Sequence, residues 1–169
     1  MLTRRFFLNV LMATWTVTFA SMKVLYADPS DVLLTLVQPQ PENDSVIQSG
    51  ITRQSLLDLP QASFETTTIW TRGVQEFEGV WLYDFLQSFK VTDGTLELEA
   101  INDYFVEIPL NEIEKGQALL AHTRNGKPMS AREKGPVWLV YNYDSDPAFR
   151  TETVYSRSVW QLDRITVSR

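Results

Sequence analysis

The 169-residue chain contains no cysteine. That excludes disulfides, thiolate metal sites and a cysteine nucleophile. It also suits an oxidising compartment, where a free thiol is a liability. Histidine occurs once, at His122, and no His or carboxylate cluster has metal-ligand spacing. Positive charge is in short supply: 15 Lys and Arg against 21 Asp and Glu give a formal net charge of −6. An acidic body argues against nucleic acid or an anionic membrane surface as the main partner. No glycine loop is built to cradle phosphate, and no Ser-His-Asp set has suitable neighbours. What is present is an ordinary apolar share, 44%, enough for one domain with its own core.

The first 27 residues read as a targeting segment. Arg4-Arg5 is followed by an apolar stretch from Phe6 to Ala20, then by small residues at Ala20, Ser21 and Ala27. This is the layout of a secretory signal peptide. Cleavage is expected after Ala27, with Ala20 as the alternative. Losing 1–27 removes Arg4, Arg5 and Lys23 and no acid, which takes the remainder from −6 to −9. The expectation is a single exported domain over 28–169, placed in the periplasm.

The stretch from His122 to Asp144 organises the rest. It holds a turn at Asn125-Gly126-Lys127-Pro128, a basic loop from Ser130 to Pro136, and an apolar run from Val137 to Tyr141. A Gly-Pro loop feeding a buried strand fixes backbone where something can come close, because Gly has no Cβ and Pro has a preset φ. A second segment, Tyr155 to Trp160, offers a cation and an indole. Together with Trp70-Thr71-Arg72, these segments are expected to wall a pocket for a flat heterocycle.

Elsewhere the pattern predicts strands at Val32–Val37, Ala62–Trp70, Leu96–Ala100, Tyr104–Ile108, Ala118–His122 and Gln161–Val167. Thr52 is positioned to cap a helix running toward Leu57, which Pro60 stops. Leu82, Phe85, Leu86 and Phe89 fall at helical spacing within Val80–Phe89. Gly73 to Gly79 reads as a break. Short strands with a few helices and no βαβ rhythm predict an α+β domain.

Six short motifs occur in order: Trp70-Thr71, Phe77-Glu78-Gly79-Val80-Trp81-Leu82, Asn102-Asp103-Tyr104, Asn125-Gly126-Lys127-Pro128, Lys134-Gly135-Pro136 and Arg157-Ser158-Val159-Trp160-Gln161-Leu162. As a set they resemble the molybdopterin-binding domain of the sulfite oxidase family, over roughly Val32 to Val167. Catalytic members hold molybdenum through a cysteine in a segment that corresponds to Thr66–Trp70. Threonine cannot replace a thiolate as a soft metal ligand, so the departure speaks against a molybdenum cofactor and against the family's oxidation chemistry. The chain is most similar to a cysteine-less branch, the PruR-type periplasmic pterin-binding proteins. That resemblance implies a sulfite oxidase-like fold and a receptor for a reduced pterin such as a tetrahydropterin. It also implies a partner: the periplasmic domain of a membrane diguanylate cyclase or phosphodiesterase, and with it cyclic-di-GMP signalling and biofilm regulation.

A pterin needs aromatic or guanidinium faces for stacking and a carboxylate opposite its guanidine-like edge. Trp70, Tyr104, Trp138, Tyr155 and Trp160 are the candidate faces, and Asp103 is the candidate carboxylate. Arg72 and Arg157 are candidates for stacking or for a carbonyl oxygen. Arg132, Lys134 and Gly135 would offer backbone N–H groups. His122, just before the loop, and Ser158 complete the expected set. For each, a structural role competes with ligand contact: core packing for Trp138, turn shaping for Asp103, an internally satisfied ring for His122. The competing functions are a molybdopterin oxidoreductase lacking the cysteine ligand, and a carrier for another exported protein.

Overall fold

The computed structural model describes residues 31–40 and 45–168. The targeting segment expected over 1–27 lies outside the described residues. The described part is an α+β arrangement dominated by strands.

One five-stranded sheet runs in the order β2 (Val46–Thr52), β1 (Val32–Pro39), β10 (Leu162–Ser168), β5 (Thr95–Ala100), β6 (Phe105–Pro109). Its centre is the parallel pair of β1 and β10, with Leu36 opposite Ile165. The other pairs are antiparallel. The second sheet joins β3 (Ala62–Thr67), β4 (Val74–Trp81), β7 (Ala118–Arg124) and the short β8 (Lys127–Pro128), with β9 (Trp138–Tyr141) also paired to β7. Both sheets feed one buried cluster. Leu34, Leu36, Leu96, Leu98 and Ile165 come from the first sheet, and Phe77, Val80, Leu119, Leu120 and Leu139 from the second.

The local reasons follow the sequence. In β5, Leu96, Leu98 and Ala100 are buried while Thr95, Glu97 and Glu99 are only partly so, the period of two of a half-buried strand. The amphipathic stripe forms α2 (Leu82–Ser88), with Leu82, Phe85 and Leu86 buried. Each such burial contributes about 1.5–3 kcal/mol. Thr52 caps α1 (Arg53–Leu57) by accepting from the Ser55 N–H, satisfying a donor that the first helical turn leaves free.

Two expectations are corrected. Gly73 to Gly79 is no break: Val74–Trp81 is β4. Gly79 sits inside that strand at a register shift against β7, where a Cβ would fall 2.1 Å from the Leu120 carbonyl oxygen. Glycine here marks a bulge and a close backbone approach. The strand expected over Ala62–Trp70 stops at Thr67, and Ile69 and Trp70 form a turn. The segment 152–156, for which no element was expected, is a third helix, α3 (Glu152–Ser156), with Thr151 accepting from the Val154 N–H.

Candidate functional site

The site forms where three chain segments meet: the β5–β6 turn, α3 with its exit, and the stretch around Trp70. Backbone bonds stitch the α3 exit to β9 and the loop before it. Leu139 N–H donates to the Val159 carbonyl, Leu162 N–H to Val137, and Gln161 N–H to Lys134. Trp138 and Trp160 face each other across an isolated antiparallel bridge. This stitching, across 20 to 27 residues of sequence, is what sets Trp160 beside the loop.

A cavity of about 330 Å³ opens there, within the size range of small-molecule sites. Trp70, Tyr104, Tyr155 and Trp160 present their rings to it. The rings hold one another edge to face. Trp70 lies 5.4 Å from Trp160 and 5.8 Å from Tyr155, centroid to centroid, at 66° and 90°. Such pairs add about 0.5–1.5 kcal/mol each beyond area burial, so the walls are set before a ligand arrives. Trp138 lies behind Trp70 and Trp160, fully buried, at 5.9 and 6.5 Å. Its indole Nε1 is buried with no hydrogen-bond partner among the described residues.

The polar groups of the wall are mostly engaged. The Tyr104 hydroxyl donates to the Ser156 carbonyl at 2.7 Å. The Tyr143 hydroxyl donates to Ser158 Oγ, which donates in turn to the Val154 carbonyl at 2.8 Å. Burial raises the Tyr143 pKa, and the phenol stays protonated. Asn102 Oδ1 accepts from the Tyr104 N–H, which shapes the turn. Glu152, on the first turn of α3, supplies the one carboxylate of the lining.

Of the expected site residues, Trp70, Tyr104, Tyr155, Ser158 and Trp160 line this cavity. Lys134 adjoins it: its Nζ lies 4.0 Å from the Trp160 ring centroid and 5.5 Å from that of Trp138. Desolvation, then the charge of Arg124, lowers the Lys134 pKa. Trp138 lies behind the wall rather than in it, and six more expected residues stand elsewhere. Arg72 is exposed at the end of the Trp70 turn, and its carbonyl accepts from Gln75. Asp103 is exposed in the left-handed region, φ 64°, at the tip of the β5–β6 turn. Arg132 is exposed on the 3₁₀ turn 131–133. Arg157 is bonded to Glu112 at 2.6 Å.

His122 is buried with both ring nitrogens engaged, by Gln61 Oε1 and by Thr123 Oγ1, each at 2.9 Å. Gly135 turns its open face to its own chain: a Cβ would lie 2.2 Å from the Met129 carbonyl oxygen.

Reading the residues alone missed Glu152 and the cavity role of Asn102. Thr151 before Glu152 is a helix-start signal that was available. Nothing local to Asn102 distinguishes it from its neighbour Asp103.

A second, more open cleft of about 340 Å³ shares Tyr155 and is bounded by Asp144 and Arg150. Asp144 accepts from Arg150 at 2.7 Å and from the Thr67 N–H and hydroxyl. The Thr67 backbone N–H is the leading cause that holds the Asp144 carboxyl below its ordinary range. Among the described residues no helix is long and apolar enough to cross a membrane. No protein-family model matches the chain, and no curated protein matches it either.

Proposed function

We propose that the protein is a periplasmic receptor for a reduced pterin, of the sulfite oxidase-like fold, which regulates a membrane cyclic-di-GMP enzyme through that enzyme's periplasmic domain. The observation that carries this reading is the cavity itself: four aromatic rings, a mostly apolar wall and a single carboxylate. A flat bicyclic heterocycle needs faces to stack on and an acceptor for its N–H edge, and this wall supplies both. The ordered motifs that resemble the cysteine-less branch support the fold and the signalling role. The signal-peptide layout of residues 1–27, Arg4-Arg5 before an apolar stretch and small residues to Ala27, supports the compartment.

The alternative, a molybdopterin oxidoreductase, meets a difficulty in the donor set. The segment 66–70 offers threonines where that chemistry uses a thiolate, and the chain has no cysteine. Thr66 is buried and its hydroxyl is already engaged: it donates to the Thr67 carbonyl and accepts from the Asp144 N–H at 3.1 Å. It ties β3 to the turn after β9.

The test is to purify the exported form anaerobically, denature it, and identify released small molecules by fluorescence and mass spectrometry, with metal analysis alongside. A reduced pterin without molybdenum is expected. A dithiolene pterin with stoichiometric molybdenum would overturn the receptor reading.

A further inference from the structure

We infer that Glu152 is the specificity-determining residue of the cavity: it takes the donor edge of the ligand and turns away ligands that carry a negative charge. The inference rests on the reading of the cavity as a pterin site. Among the side chains that line the cavity, Glu152 alone is charged. No hydrogen bond or ion pair among the described residues occupies its carboxylate. The nearby cations do not enter the lining. Arg157 is held by Glu112, and Lys134 rests on the Trp160 ring.

The rest of the wall points the same way. The Tyr104 proton is spent on Ser156, leaving only acceptor capacity on its oxygen. Ser158 is closed between Tyr143 and Val154. Asn102 keeps its amide N–H₂ as a donor, since its oxygen is taken by the Tyr104 N–H. So the open groups are a carboxylate, a phenol oxygen and one amide donor, set among four ring faces. Two adjacent N–H donors, as on a 2-amino-4-oxopyrimidine edge, match a carboxylate in charge-assisted, two-point fashion. Ring faces favour positive over negative charge. An anionic ligand would meet Glu152 with no cation in the wall to offset the repulsion. The carboxylate expected for this task, Asp103, is displaced from it by one residue of turn geometry: Asn102 faces the cavity and Asp103 stands at the exposed tip.

The experiment is calorimetric titration of the purified protein, kept anaerobic, with three probes: a 6-hydroxymethyl tetrahydropterin, tetrahydropterin-6-carboxylate as its anionic counterpart at the same oxidation level, and choline as a cation without a donor edge. Glu152→Gln, Glu152→Asp and Asp103→Asn are titrated beside the wild type, with melting curves for each. The neutral pterin is expected to bind, and the carboxylate at least about tenfold more weakly. Glu152→Gln should weaken the neutral pterin by about tenfold or more and narrow the gap between the two. Glu152→Asp, which keeps the charge but retracts it, should fall between, and Asp103→Asn should stay within about twofold of wild type.

Equal affinity for both pterins, with Glu152→Gln silent, overturns the inference and leaves the pterin site standing. Binding of choline but of neither pterin, lost in Glu152→Gln, supports the charge rule and overturns the pterin reading. Binding of no probe overturns both.

Discussion

Two stretches of this chain carry the same kinds of residue and do different work. The first runs from His122 to Trp138, the second from Glu152 to Trp160. Each holds at least one cation, at least one aromatic ring and small polar groups. The first spends them on its own fold. His122 bonds Gln61 and Thr123, Ser130 and Glu133 cap each other, and Gly135 lets its backbone lie against Met129. Trp138 is fully buried. The second stretch anchors itself with Ser158 and Arg157 and leaves Glu152, Tyr155 and Trp160 on a cavity. A Gly-Pro loop before a buried strand does signal close approach of backbone. Whether what approaches is a ligand or the chain itself depends on partners distant in sequence.

The largest effects that would sharpen this contrast are on stability. Trp138→Ala is expected to cost about 3–5 kcal/mol, since it empties a large site packed by Trp70, Phe77 and Trp160. Gly135→Ala is expected to cost about 1–3 kcal/mol, because its Cβ meets backbone that cannot swing aside. Urea unfolding measures both. Trp138→Phe should recover much of the first loss, because it keeps a ring and removes the unpartnered Nε1. If Gly135→Ala kept its midpoint but lost ligand, the loop would belong with the second stretch after all.

Trp160→Ala should act on binding instead, lowering affinity for a tetrahydropterin about tenfold, or roughly 1.4 kcal/mol. Its ring is only partly buried and forms cavity wall. Fluorescence titration reads this directly. An unchanged titration curve would remove Trp160 from the site and with it the proposed division of labour.

Single residues show which parts of this architecture the sequence carries locally and which it does not. Period gave β5 and α2, because Leu96, Leu98, Phe85 and Leu86 record their burial locally. It did not give β4, because Gly79 serves a bulge against β7 that only the pairing reveals. The parallel pairing of β1 with β10 joins the two ends of the described chain and leaves no local trace. At the site, ring chemistry pointed to Trp70, Tyr104, Tyr155 and Trp160, which line the cavity, and equally to Trp138, which is buried behind it. Charge did not point to Glu152, since Asp103 and Glu152 differ in their neighbours in space and not in composition.

His122 offers a smaller test through pH. Burial, with the charge of Arg53 adding to it, holds its pKa below the ordinary 6.5. The folded state therefore binds fewer protons than the unfolded chain below that value, and stability rises with pH wherever the unfolded state binds more. The contribution is fully present above about pH 6.5 and is lost as pH falls through the lowered folded value. His122→Gln should flatten that part of a stability-versus-pH curve. The lowered carboxyls of Glu133 and Asp144 act in a separate window, below 4.5 and 3.8. A wild-type curve flat between pH 6.5 and 5 would show that the ring is not held neutral.

The smallest effect separates two roles within one residue. Lys134, half-buried, lies over Trp160, a contact of about 0.5–1 kcal/mol. It also sits in the left-handed region at φ 76°, which disfavours any side chain by roughly 1 kcal/mol relative to glycine. Lys134→Ala removes the contact and keeps the strain, so its unfolding free energy should fall by about 0.5–1 kcal/mol. Lys134→Gly removes both, and the two terms nearly cancel, leaving it within about 0.5 kcal/mol of wild type. Equal losses in both variants would mean that the backbone stores no strain there. If Lys134→Ala instead lowered ligand affinity more than stability, the ammonium would be reaching past Trp160 to the ligand. The first stretch would then supply one working group to a cavity otherwise built by the second.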